Sequence, residues 1–310
     1  QQESNFLRVD LGRRKMLKIK KKSSDIIADG IIAVILIAIA LVCILPMWHV
    51  IMAAISKPKD LYASSDFLFR PVGGVSFEAW SIVWKNYPIL RSYFNTILYT
   101  VLYTGIGLLL TLLGAYVLSR KDFLFRNLIF VFMLLPMFVN AGMIPQYVVN
   151  YKLGLTNTIW ALVLPGCCTA LNVLMVRVGM QATDAYCEAA QIDGAGHLQT
   201  LFKIVLPLVI PYVSVVVMFS VITQWNSWML PKIYLSKEVE NLYPLSLIIY
   251  NMIQQTEGTG GMSIGINKLE EYGPSIQMVT ILISSLPLLC IYPFIQKFFE
   301  KAVVIGGVKG

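Results

Sequence analysis

The chain has 310 residues, 57% of them hydrophobic and 14% charged, with a mean hydropathy of +0.69. Soluble domains carry about 25% charged residues, so this chain cannot cover a water-facing surface; soluble, disordered and nucleic-acid-binding classes are excluded, and its solvent is lipid. The net charge of +8 is a matter of position, because eight of the 25 Lys and Arg residues (Arg8, Arg13, Arg14, Lys15, Lys18, Lys20, Lys21, Lys22) precede the first apolar run, as a cytoplasmic flank does.

The sequence opens on Gln1 and its first Met is Met16, so residues 1–15 are set aside from the fold argument; a segment before the first Met need not be native. Residues 1–25 then read as a basic N-terminal segment, 26–300 as a membrane domain and 301–310 as a tail. A bilayer core of about 30 Å needs about 20 apolar residues per helix. Six stretches without Asp, Glu, Lys or Arg meet that length: 31–54, 92–119, 127–151, 153–176, 204–231 and 272–296. The expected fold class is therefore an all-α polytopic membrane protein with six spans. A seventh uncharged stretch, 241–256, is shorter and interrupted by Pro244, which predicts an interfacial helix. Prolines 46, 136, 145, 165, 211 and 287 each remove a backbone donor and predict kinks.

With the N-terminus inside, the inner segments hold 16 Lys and Arg and the outer segments nine, so both termini are expected in the cytoplasm. Cys43, Cys167, Cys168 and Cys290 lie in apolar runs without metal or redox spacing and read as small hydrophobes; Cys187, in a more polar loop, reads as an unreactive thiol.

The inner loop 183–207, between the fourth and fifth spans, is the most informative passage. Thr183 or Asp184 can cap a short helix, and Gly194 can end it with a left-handed residue. Ala185, Ala189 and Ile192 share one face, Ala190 is a further small side chain, and Glu188 offers a charge to a basic partner. A groove of another protein could approach that backbone closely. Beyond the glycine, Leu201, Phe202 and Ile204 lead through Leu206 and Pro207 into the membrane.

Glu188-Ala189-Ala190, Gly194 four residues further on, then Ile204, Leu206 and Pro207 resemble the signature loop of ATP-binding-cassette importer permeases. With the intervening Asp193-Gly194-Ala195 and the closing Gly306-Gly307-Val308-Lys309-Gly310, residues 25–310 are similar to the carbohydrate-uptake branch, in particular the shorter permease of maltose-type pairs. The start of the short helix departs from many relatives, with Tyr186-Cys187 where acidic residues are common. The resemblance implies a type I importer fold with a cytoplasmic coupling helix in the cell membrane. It also implies a second permease, two cytoplasmic ATPase subunits and an extracellular solute-binding protein that delivers a sugar. ATP and Mg would belong to the ATPase, with no cofactor on this chain, which has no G-x-x-x-x-G-K-[ST]. Glu188, Ala189, Ala190, Asp193, Gly194 and Ala195 would carry ATPase coupling, and Gly306, Gly307, Val308 and Lys309 would enter the space between the ATPase subunits. The outer loop, 232–271, would meet the binding protein through Gly258, Gly260 and Gly261.

A sugar path needs amide or hydroxyl partners and aromatic platforms. Asn140, Gln146, Asn172, Gln224, Trp225, Asn226 and Trp228 supply them, although interhelical hydrogen bonds and an interfacial tryptophan belt account for the same residues. Three other readings are an importer permease for a non-sugar solute, an ion-coupled carrier and an intramembrane enzyme. The last two are disfavoured, because no span holds an ionisable dyad and His49 is the only histidine in one.

Overall fold

The computed structural model describes residues 23–64, 66–139, 141–256, 272–287, 289–290 and 293. The described chain is helical, with no strand among the described residues beyond an isolated bridge between Ser56 and Val75. Helix α1 (Ser23–Ala54) belongs largely to a unit ending at His49, and its apolar side chains from Ile27 to Leu45 are exposed. A helix so apolar on every side suits lipid.

The second unit begins at Val50. It contains α2 (Pro58–Ala63), α3 (Glu78–Asn86), α4 (Ile89–Ser119), α5 (Arg126–Phe138), α6 (Met143–Lys152), α7 (Trp160–Val163), α8 (Ala170–Gln181) and α9 (Asp184–Ile192). Then come α10 (His197–Trp225), α11 (Met229–Tyr234), α12 (Leu245–Thr256) and helix 272–287.

Helix α4 is the mast of this unit and runs through two apolar cores. Its first half packs Ile89 and Tyr99 with residues of α3, α7, α11, α12 and helix 272–287. Its second half packs Leu112, Ala115, Tyr116 and Leu118 with α8, Cys187 of α9 and Val205, Val209 and Val216 of α10. Small residues let neighbours approach: a Cβ on Gly107 would lie 2.1 Å from the carbonyl oxygen of Cys167, and one on Gly179 of α8 would lie 2.5 Å from the ring of Tyr212 on α10.

Among the described residues three helices are long and apolar enough to cross a membrane, Ile27–Ala54, Ile89–Ser119 and His197–Trp225; α5 and α6 make a fourth candidate as a pair bent by 118°. The six uninterrupted spans expected from sequence are thus not all single helices. The third is broken between α5 and α6, where Gly142 has φ +82°. The stretch 153–176 is broken as well: Pro165 and Gly166 (φ +77°) stop α7, and α8 restarts where the Thr169 hydroxyl accepts from Asn172 N at 3.2 Å. The fifth begins earlier than expected and ends at Trp225 rather than 231. The last is described as helix only over 272–287, 289–290 and 293.

The stretch 241–256 differs more. Its helix α12 buries Leu245, Leu247, Ile248 and Met252 in the first core instead of lying on the surface. The segment before it is tied to α4: Asn95 donates to the carbonyls of Asn241 (2.9 Å) and Tyr243 (3.1 Å), Tyr99 donates to Leu242 O (2.9 Å), and Leu245 N donates to the Thr96 hydroxyl (2.8 Å). Those bonds satisfy groups that Pro244 keeps out of a regular helix.

The base of α10 carries a π-helical segment, Thr200–Val205. The reason is local: Pro207 has no N–H and its ring clashes with the carbonyl four residues back in an α-helix, and a wider turn relieves that clash.

Candidate functional site

Helix α9 sits between two turns. At its start the Thr183 hydroxyl does not cap the helix as expected; it donates to Met180 O at 2.7 Å, within the preceding turn. The helix start is instead marked by Asp184, whose carboxylate faces Arg120 and Lys121, each at 3.5 Å. At its end, Gly194 N donates to Gln191 O (3.0 Å) and Ala195 N to Ala190 O (2.9 Å), with Gly194 at φ +83°. This is a Schellman termination, the one anticipated from Gly194. Asp193 is the C-cap, its N–H donating to Ala189 O.

Cys187 and Ala190, three residues apart on one face, are buried. Ala190, grouped in sequence with the docking face, therefore points into the protein, and Cys187, read as part of a polar loop, is only 1% exposed. The surface offered outward consists of Ala185, Tyr186, Glu188, Ala189, Gln191 and Ile192, the last 87% exposed. A cavity of about 180 Å³ beside it is lined by Arg120, Lys121, Asp122, Asp184, Cys187, Glu188 and Gln191. Small side chains, one carboxylate and a bare isoleucine suit contact with a shaped, partly basic groove rather than chemistry.

The polar-path residues are gathered only in part. Gln224 and Trp225 are buried at the end of α10, and Trp225 Nε1 donates to Ser284 O at 3.4 Å. Asn226 spends its amide on Ile222 O (2.9 Å), while Trp228 is 41% exposed and stacks on Tyr250 at 4.3 Å between ring centres. Lys232 Nζ lies 5.5 Å over the Tyr250 ring and 3.4 Å from Asn251 Oδ1. Asn172 is buried in the first turn of α8 and shares no hydrogen bond with these groups; Gln146 is exposed on α6. Asn140 lies outside the described residues, as do Gly258, Gly260, Gly261 and the tail residues Gly306, Gly307, Val308 and Lys309.

Sequence reasoning passed over two groupings. Tyr147 stacks on Tyr234 at 5.8 Å, and Asn150 donates to the Tyr234 hydroxyl at 2.8 Å. The signal for the first half was present, since Tyr147, Asn150 and Tyr151 recur at three- and four-residue spacing on α6; Tyr234 is distant in sequence and carried none. The second grouping is Tyr116, Arg120 and Asp184, joined across 60 residues or more and equally silent in the sequence. Near α12, burial pushes the Tyr243 phenol up, with Glu240 adding to the effect.

The long apolar helices and the exposed, glycine-terminated α9 suit a membrane transport component. Residues 81–305 match the family of inner membrane components of binding-protein-dependent transport systems, and the chain belongs to that family. Among its relatives is the polygalacturonan/rhamnogalacturonan transport system permease protein YtcP of Bacillus subtilis (strain 168), 32% identical over 287 residues, covering 91% of this chain and 98% of the relative. The diacetylchitobiose uptake system permease protein NgcG of Streptomyces coelicolor is 30% identical over 217 residues, covering 67% and 70%. In three dimensions the chain is similar to a chain of a bacterial ABC transporter involved in the import of the acidic polysaccharide alginate, with a TM-score of 0.78 and 27% identity over 90% of this chain and 99% of the other.

Proposed function

We propose that this chain is the transmembrane permease subunit of an ATP-driven importer that takes an oligosaccharide from an extracellular binding protein into the cytoplasm. The observation that carries the proposal is the Schellman-terminated helix α9, with Glu188 and Ala189 exposed between the helices that lead to and from the membrane. In this reading α9 is the coupling helix and docks in a cleft of a cytoplasmic ATPase, which binds ATP and Mg. A second permease completes the path, and both termini are cytoplasmic. Six crossings result if the bent pair α5 and α6 forms the third, the pieces around 164–169 form the fourth, and helix 272–287 begins the sixth. The sugar specificity is supported by relatives named for polygalacturonan/rhamnogalacturonan transport and diacetylchitobiose uptake and by the alginate importer.

The glycine-containing loop 256–262 would reach toward the binding protein, and the tail 303–310 would lie between the ATPase subunits. The test is uptake of labelled oligogalacturonides and chito-oligosaccharides into inverted-topology-controlled vesicles containing the whole complex. Uptake should require ATP on the ATPase side and the binding protein on the other. Uptake sustained by a proton gradient without ATP would refute the proposal in favour of an ion-coupled carrier.

A further inference from the structure

The C-terminal end of α4 reaches both flanks of the loop that carries α9. Arg120 Nη2 lies 3.5 Å from Asp184 Oδ1, and Lys121 Nζ lies 3.5 Å from Asp184 Oδ2. The Arg120 guanidinium sits 5.0 Å over the Tyr116 ring, and that ring meets the His197 imidazole edge-on at 6.3 Å between centres. Asp184 opens α9 and His197 opens α10. A Tyr-Arg pair at the end of α4 therefore touches the loop at the first residue of its outward-facing helix and again at His197 beyond it.

The two cations are not equivalent. The Arg120 side chain is 10% exposed and that of Lys121 is 79% exposed. Arg120 Nη2 is buried and has no hydrogen-bond partner among the described residues, so its compensation there is the Asp184 carboxylate at ion-pair distance. Asp122 and Glu188 line the adjoining cavity, yet neither forms an ion pair with Arg120 among the described residues. An exposed pair such as Lys121 with Asp184 contributes little, whereas removing one partner of a largely desolvated pair leaves an uncompensated charge.

We infer that Asp184 is a positioning residue: through Arg120 it fixes α9 to α4, so that the docking helix and the long helix move as one body. The inference rests on the docking role of α9 proposed above. It assigns to the junction between α4 and α9 the transmission of motion that the exposed surface of α9 only receives.

The experiment uses the whole complex, purified in lipid nanodiscs, with amide hydrogen exchange over residues 184–192 and ATP hydrolysis as readouts. Asp184→Asn should raise local opening of α9 about five- to thirty-fold and lower kcat for ATP several-fold with KM for ATP unchanged, because the nucleotide lies on the partner. Asp184→Glu should restore both, and Lys121→Gln should change exchange less than about twofold. Arg120→Gln combined with Asp184→Asn should be no worse than the more severe single variant. That non-additivity separates the ion pair from a simple loss of charge at the helix start. Wild-type exchange and kcat in Asp184→Asn, additive effects in the double variant, or failure of Asp184→Glu to restore coupling would each overturn the inference. Ala189→Trp serves as the separate control for docking. If it leaves the ATPase bound and coupled, the docking role itself is wrong; if it uncouples while Asp184→Asn does not, only the joint is wrong.

Discussion

Replacing Gly107 with alanine probes how the broken stretch 153–176 is held against α4. Tyr103, Gly107 and Thr111 recur every four residues and form one stripe on that helix. The Tyr103 hydroxyl donates to Gly166 O at 2.6 Å, Thr111 Oγ1 lies 3.8 Å from Cys168 Sγ, and between them a Cβ on Gly107 would come within 2.1 Å of Cys167 O and 2.9 Å of its carbonyl carbon. The obstacle is backbone, so relief requires moving the segment 166–168 away by about 1 Å. Overpacking of this kind costs about 1–3 kcal/mol, and loss of the Tyr103 bond adds about 1 kcal/mol. The better helix propensity of alanine offsets up to about 1 kcal/mol. A net loss of about 1–3 kcal/mol should lower the unfolding midpoint of the purified complex by about 2–4 °C per kcal/mol. Gly105 is the internal control: it lies half a turn away, with nothing within 4 Å of its added Cβ, so Gly105→Ala should be neutral or slightly stabilising. Equal midpoints for the two variants, followed by fluorescence-detected size exclusion after heating, would refute the close-approach argument.

Gly194→Val should impair ATP hydrolysis by the assembled complex more than Gly194→Asn. The residue sits at φ +83° with open space around it, so the cost is backbone strain of about 1–2 kcal/mol rather than a clash; equal rates in the two variants would remove the left-handed turn from the explanation. Asn157 is the one non-glycine residue with positive φ among those described (+61°), and its Oδ1 accepts from Ser236 N at 2.7 Å. Asn157→Ala should destabilise by about 1–2 kcal/mol and Asn157→Gly by less, read as proteolytic nicking of the 232–236 segment. Trp228→Ala should weaken the packing of Tyr250 by about 0.5–1.5 kcal/mol, measured as faster amide exchange in the first turns of α12; unchanged exchange would show the stack to be idle.

The class of fold was legible because hydropathy and charge placement are local properties, and the three long helices overlap the uncharged runs 31–54, 92–119 and 204–231. Helix breaks were legible in principle. Pro165-Gly166 followed by Thr169 is a stop and a restart written side by side, but the length criterion for a span overrode it. Gly194 identified the end of α9 because a left-handed termination demands a particular residue at one position. Thr183 failed as a cap because a nearer carbonyl, that of Met180, competes for its hydroxyl. The inward turn of Ala190 and the burial of α12 could not be read, since both depend on which distant surface the helix meets. The same holds for Asp184, whose partners lie more than 60 positions earlier, just past the end of α4.

The π-helical turn Thr200–Val205 bears on how such permeases can be recombined. A π turn inserts one residue into an otherwise α-helical rod, and one residue corresponds to about 100° of rotation. Deleting a residue there, or grafting α9 and its flanks onto a relative with a regular helix at this point, would swing everything on the His197 side by that angle about the α10 axis. His197 would leave Tyr116, and the docking surface would face a different direction with every local contact within α9 intact. Interchangeable parts must therefore be cut above Leu206, carrying the π turn with the loop, and sequence alignments of this family need single-residue gap freedom between Gly196 and Pro207 to keep equivalent side chains in register.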